Sequence, residues 1–153
     1  MRTRLTAVLA MAALPVMAAL AAGHDTTPLA RWQAEPLTVF DAAEVNLDEF
    51  VYAARPVIVF ANSPNDPAFI EQMEELAQDG DRLIERDVVI LTDTDPLARS
   101  DIRLRLRPRS FMLVLMGKDG EVELRKPLPW TVRELSRSID KMPVRQREMR
   151  EGG

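Results

Sequence analysis

Three short apolar runs constrain the fold of this chain most tightly. Val57-Ile58-Val59-Phe60, Val88-Val89-Ile90-Leu91 and Phe111-Met112-Leu113-Val114-Leu115-Met116 are unbroken and largely β-branched or bulky. Each is too short for a helix that buries one face. A continuous run of this length suits a strand covered on both sides, as in the middle of an α/β sheet. The segments between them have a different period. After Asn62-Ser63-Pro64-Asn65, Asp66 stands as a helix N-cap and Pro67 as a first helical residue. From there to about Gln78, Phe69, Ile70, Met73, Leu76 and Ala77 recur at helical spacing, opposite Glu71, Glu74, Glu75 and Asp79. Asp79-Gly80 is expected to close this helix.

Pro96 to Arg107 supports two readings. Ile102 to Arg107 alternates as a strand would, while Ala98, Ile102 and Leu106 share a helical face. Asp95-Pro96 as a start and Pro108 as a stop favour the helix. The third apolar run leads through Gly117-Lys118-Asp119-Gly120 into Glu121-Val122-Glu123-Leu124-Arg125, a hairpin with a half-buried second strand. Thr131 and Glu134 form a capping box for a last helix that turns Val132, Leu135 and Ile139 inward, with Pro143 just beyond its end. The order strand, helix, strand, helix, strand, hairpin strand, helix predicts an α/β protein with a central mixed sheet of about four strands and flanking helices. This is the order of a thioredoxin-like fold.

The N-terminus reads as an export signal over residues 1–23. Arg2 and Arg4 precede an apolar run from Leu5 to Leu20, and small residues follow at Ala21, Ala22 and Gly23. Pro15 interrupts the run and no basic flank follows it, which favours cleavage over retention as an anchor. A periplasmic or secreted location is therefore expected, with no transmembrane helix after cleavage. Residues 24–46 read as a polar leader or arm, pinned at most by Trp32, and residues 47–150 as the domain proper. Loss of Arg2 and Arg4 would take the net charge from −4 to −6, which argues against nucleic acid as a partner.

The chain contains no cysteine. Thiol–disulfide exchange, thiol peroxidase chemistry and disulfide bonds are thereby excluded.

Four segments carry a family resemblance. They are Arg55 to Pro67, Glu85-Arg86-Asp87-Val88-Val89, Gly117-Lys118-Asp119-Gly120 and Met142 to Arg150. Together they resemble the bacterial branch of the DUDES family, a domain of unknown function regarded as thioredoxin-like, whose animal relatives are secreted and matrix-associated. The resemblance spans about Leu47 to Arg150 and implies no catalytic residue.

In thioredoxin-like enzymes the redox cysteines occupy the turn from the first central strand into its helix. Here that turn is Asn62 to Asp66. Its one hydroxyl, Ser63, has no evident base, because the sole histidine is His24. Ser63, Asn65 and Asp66 are accordingly candidates for binding rather than catalysis, with Arg109 as a nearby anion contact. The position of the family's substrate-docking proline falls on Ser110 or Phe111. Asp93 and Asp95 alone are too few ligands for a metal site, and no cofactor is expected.

Charge is unevenly placed. Arg99 to Arg109 carries +4 and Lys141 to Arg150 carries +3, whereas residues 62–95 carry −8. Either the basic segments pack beside the acidic helix, or they face a partner. Arg145, Arg147 and Arg150 join the contact candidates on the second reading. The expected function is a non-catalytic binding module for a protein or envelope component. The alternative is a cysteine-independent enzyme or small-ligand or anion carrier using the Ser63–Asp66 loop.

Overall fold

The computed structural model describes residues 27–152. The expected export signal lies outside the described residues. Eleven helices and strands follow in the order α1 (Pro28–Ala34), β1 (Val39–Asp41), β2 (Arg55–Phe60), α2 (Pro67–Gln78), α3 (Gly80–Ile84), β3 (Val88–Asp93), α4 (Asp101–Leu106), β4 (Met112–Met116), β5 (Val122–Lys126), α5 (Val132–Ile139) and α6 (Pro143–Glu151). Two 3₁₀ turns, Ala42–Glu44 and Leu47–Phe50, join β1 to β2.

The sheet has five strands rather than about four, in the order β1-β3-β2-β4-β5. β1 and β2 run parallel to β3, and β4 and β5 are antiparallel additions. β2 is buried at every position. Its alternate side chains divide the core. Ile58 and Phe60 pack with Trp32, Phe40, Phe50, Ile102 and Leu106 on one face. Val57 and Val59 pack with Leu76, Leu83, Leu135 and Ile139 on the other.

The fifth strand comes from the segment expected to be an arm. Thr27 caps α1 through its side-chain oxygen, which accepts from Ala30 N, and Pro28 opens the helix. Trp32 is 7% exposed and meets Phe50 edge-on at 6.4 Å. Its indole N–H donates to the carbonyl of Val88 at 3.0 Å. Val39, Phe40 and Asp41 then pair with Ile90, Leu91 and Thr92. A three-residue edge strand between prolines and polar residues has no visible period, so its place is set by β3. Trp32→Phe, which keeps the ring contacts but orphans the Val88 carbonyl, is expected to cost about 1–3 kcal/mol in denaturant unfolding.

Other boundaries differ from expectation. Asp95-Pro96 does not start a helix; Asp95 accepts from Leu97 N at 2.9 Å in a local turn. α4 begins only at Asp101, with Ser100 as its cap. Ala98 is therefore outside the helix. α2 does end at Gln78 with Asp79 as its cap, as expected, but Gly80 opens a further short helix, α3, directly after it. In α2 it is Gln72, not Ile70, that faces inward. The Gln72 amide donates to Trp130 O at 2.9 Å and accepts from Trp130 N at 2.8 Å, as a strand neighbour would. Among the described residues no helix is long and apolar enough to cross a membrane.

Candidate functional site

The parallel strands give the sheet two chemically different ends. At the carboxyl ends of β2 and β3, the chain leaves Phe60 through Ala61 into the loop before α2. Ser63 Oγ accepts from Asn65 N at 3.1 Å, and Asp66 Oδ1 accepts from Ala68 N at 2.9 Å. Both side chains thus stabilise the turn and the first turn of α2. Asn65 is exposed, and Arg109 is exposed without a side-chain partner among the described residues. The position expected for a docking proline is held by exposed Ser110 and buried Phe111.

Beneath this loop lies a buried ion pair. Arg103 Nε and Nη2 donate to Asp93 Oδ1 at 2.9 and 2.7 Å. Nη2 also donates to the carbonyls of Ala61 at 2.8 Å and Asp93 at 2.9 Å. The Ser100 hydroxyl donates to Asp93 Oδ2 at 2.6 Å while its oxygen accepts from Arg103 N at 3.0 Å. The guanidinium lies over the Phe60 ring, 5.5 Å from its centroid. One residue from α4 therefore ties together the ends of β2 and β3. Asp93 and Asp95 do separate jobs here, and the described residues contain no cluster of three or more metal-ligating side chains of the His, Cys, Asp and Glu types.

The opposite end is organised by Arg55, which is fully buried. Its Nη1 donates to Arg86 O at 2.8 Å and its Nη2 to Glu148 Oε2 at 2.9 Å. Lys118 Nζ bridges Glu148 Oε1 at 2.9 Å and Asp87 Oδ2 at 2.7 Å. Arg145 reaches Glu148 at 3.4 Å, and Arg86 grips Asp140 with two bonds of 3.0 and 2.9 Å. That double hydrogen bond holds the Arg86 guanidinium above its usual pKa, against the effect of burial. All four segments that carried the family resemblance meet in this one network.

Glu148 is its keystone. Burial alone pushes its carboxyl up, but hydrogen bonds and charge from Lys118 and Arg55 outweigh burial and hold it below the ordinary 4.5. A depressed carboxyl stabilises the fold above its unfolded pKa, and that contribution is lost as pH falls through the folded value. Amide protection over 143–151 is accordingly expected to hold at neutral pH and to fall below about pH 4.5 ahead of the sheet, as read by hydrogen exchange.

Pro143, expected just beyond the end of the last helix, instead opens a further helix, α6, at its first turn. None of its nine residues is buried. Arg145 faces the network, whereas Arg147 and Arg150 are exposed and, with Lys141, Pro143 and Gln146, border an open depression of about 440 Å³. The candidates thus separate. Ser63, Asn65, Asp66 and Arg109 stand at one end of the sheet, and Arg145, Arg147 and Arg150 at the other. Sequence reasoning missed Arg103 and Arg55 as organising residues. The one available signal was a lone arginine placed directly before the first apolar strand.

Topology and residue placement together define a thioredoxin-like α/β protein. Solved structures agree on the fold. The reduced 2-Cys peroxiredoxin of Plasmodium vivax matches with a TM-score of 0.53 at 19% identity, covering 69% of this chain and 85% of that one. Chloroplastic thioredoxin z matches with a TM-score of 0.53 at 16% identity, covering 69% and 94%. Desulfothioredoxin from Desulfovibrio vulgaris Hildenborough matches with a TM-score of 0.51 at 20% identity, covering 69% and 98%. These likenesses establish the fold alone. No curated protein matches the sequence. Residues 46–148 match the model of the DUF4174 family, described as a domain of unknown function, and the chain belongs to that family.

Proposed function

We propose that this chain is an exported, non-catalytic thioredoxin-like module, of the bacterial DUDES type, that binds a protein or envelope component through the cationic face of α6. The observation that carries this reading is a helix that buries no residue yet is fastened by Glu148 and Arg145 at its inner side. Such a helix adds little to the core. Its ion pairs hold Arg147 and Arg150 outward, beside Lys141 in the turn that precedes the helix. These basic groups have no ion pair among the described residues, and neither do Glu71, Glu74 and Glu75 on α2. Intramolecular charge pairing therefore does not account for the basic tail. The carrier reading through the Ser63–Asp66 loop is weaker, since Ser63 and Asp66 are already engaged in their own turn.

The test is capture from crosslinked envelope extract, comparing the native chain with Lys141→Glu/Arg147→Glu/Arg150→Glu. Arg145 is left untouched because it belongs to the network. A reproducible partner retained by the native chain and lost by the variant is the expected result. Equal recovery by both would remove α6 as the contact face.

A further inference from the structure

A cavity of about 230 Å³ lies between the edge strand β1 and helix α2, with Leu37, Val39, Met73 and Ala77 in its wall and Gly80 at one end. Leu37 and Val39 are about half exposed there. So is Ile70, which shares a helical stripe with Met73 and Ala77. A Cβ built on Gly80 would lie 2.7 Å from Leu37 Cδ1, so the bare glycine is what lets Leu37 lie over the start of α3. The rim of this groove is acidic. Glu71 and Glu74 flank the stripe on α2, and Asp81 follows Gly80; all three are exposed, and none has an ion pair among the described residues. The basic side chain nearest in sequence, Arg82, pairs with Asp79 at 2.7 Å instead. A contiguous apolar patch rimmed by charge marks a contact site for another molecule.

The same chain carries the complementary surface. On the outer side of α6, Met149 is about half exposed and stands beside exposed Arg150, with exposed Arg147 nearby. An unbranched thioether side chain fits irregular apolar gaps well. The two surfaces do not pair within one molecule. α6 is fastened by Glu148 to Arg55 and Lys118, and no ion pair among the described residues links it to α2. The β1 edge is a poor template for adding a strand, since it is three residues long and runs into a 3₁₀ turn. An apolar groove beside such an edge is better suited to a helix.

We infer that this groove receives α6 of a second copy of the chain. Met149 enters the apolar groove between β1 and α2, and Arg147 and Arg150 meet Glu71 and Glu74 across its rim. The inference rests on the reading of the outer side of α6 as the contact face, and it names the partner of that face. The contact is heterologous, so copies join head to tail and either close a ring or continue as a chain. One methionine anchor and a few rim charges make it a weak contact that salt loosens.

The experiment is sedimentation velocity of the purified protein from about 1 μM to about 1 mM, with the native chain, Arg147→Glu/Arg150→Glu and Glu71→Lys/Glu74→Lys. The native chain is expected to self-associate as concentration rises, and each charge reversal alone to weaken association by about tenfold or more. Mixed in equal amounts, the two variants are expected to associate again, because the native α6 of one meets the native groove of the other. A general loss of folding would not be rescued in this way. Met149→Gln, at an exposed position, is expected to weaken association by about tenfold through loss of the apolar anchor. A native chain that stays monomeric at about 1 mM would overturn the inference. If that monomer still retains an extract partner through α6, the reading on which the inference rests stands without it. Association indifferent to either reversal or to Met149→Gln, or a mixture that stays monomeric, would overturn it as well.

Discussion

Arg103→Ala is expected to lower the stability of the domain by about 3–5 kcal/mol, a large share of the 5–15 kcal/mol typical of such domains. The loss is not that of one salt bridge. Removing the guanidinium leaves the Asp93 carboxylate, which is 5% exposed, with the Ser100 hydroxyl as its one side-chain donor and no countercharge, and takes the Arg103 donor from the Ala61 carbonyl. An uncompensated buried charge is the costly outcome. Arg105, two residues along α4, is the control. It is half exposed and 3.8 Å from an exposed Asp48, so Arg105→Ala is expected to stay within about 0.5 kcal/mol. Urea unfolding of the two variants checks the contrast. Similar midpoints would mean that the Asp93 pair does not tie β2 to β3.

Arg55→Ala is expected to cost a similar amount, about 3–5 kcal/mol, but with a different distribution. Arg55 leaves both the Arg86 carbonyl and Glu148. Since α6 buries none of its own residues, loss of this anchor should free the helix before the sheet unfolds. Hydrogen exchange is then expected to show weakened protection at 143–151 beyond the global loss. A double-mutant cycle of Arg55→Ala with Glu148→Ala should give a coupling of about 0.5–3 kcal/mol. Coupling near zero, with α6 protection intact, would show that α6 is held by something other than this network.

Which parts of this fold can be read from sequence follows from how local their causes are. β2, β3 and β4 are announced by continuous apolar runs, and α5 by a capping box whose two halves are three residues apart. The N-terminus of α2 falls where Asp66-Pro67 places it, for the same reason. α1 and β1 depend on distant partners, the Val88 carbonyl and the β3 edge, and no local pattern encodes either. α6 was hidden for a related reason. The residues that fasten it, Arg145 and Glu148, are charged, so its inner side carries no apolar period. The Asp95-Pro96 signal misled because the same residues also make a tight turn. Arg103 and Arg105 are indistinguishable in an alternating run. Only the helix start at Asp101 decides that Arg103 turns inward and Arg105 does not.

The candidate contact face was half visible. The cationic character of Lys141, Arg147 and Arg150 is plain from sequence, but Arg145 looks identical there and proves to be internal wiring. Likewise Arg55 stands in the sequence as an ordinary charge before a strand. Its role emerges only because the hairpin, the β3 entry and α6 converge on it.

In the proposed reading the chain engages its partner with the outer side of α6 and not with the Ser63–Asp66 end. The direct measurement is the dissociation constant for the recovered partner with three forms of the protein. These are the native chain, Lys141→Glu/Arg147→Glu/Arg150→Glu, and Asn65→Arg/Arg109→Glu. A loss of about tenfold or more is expected for the α6 variant, with native affinity for the loop variant and binding that weakens with added salt. Native affinity in the α6 variant together with loss in the loop variant would contradict it.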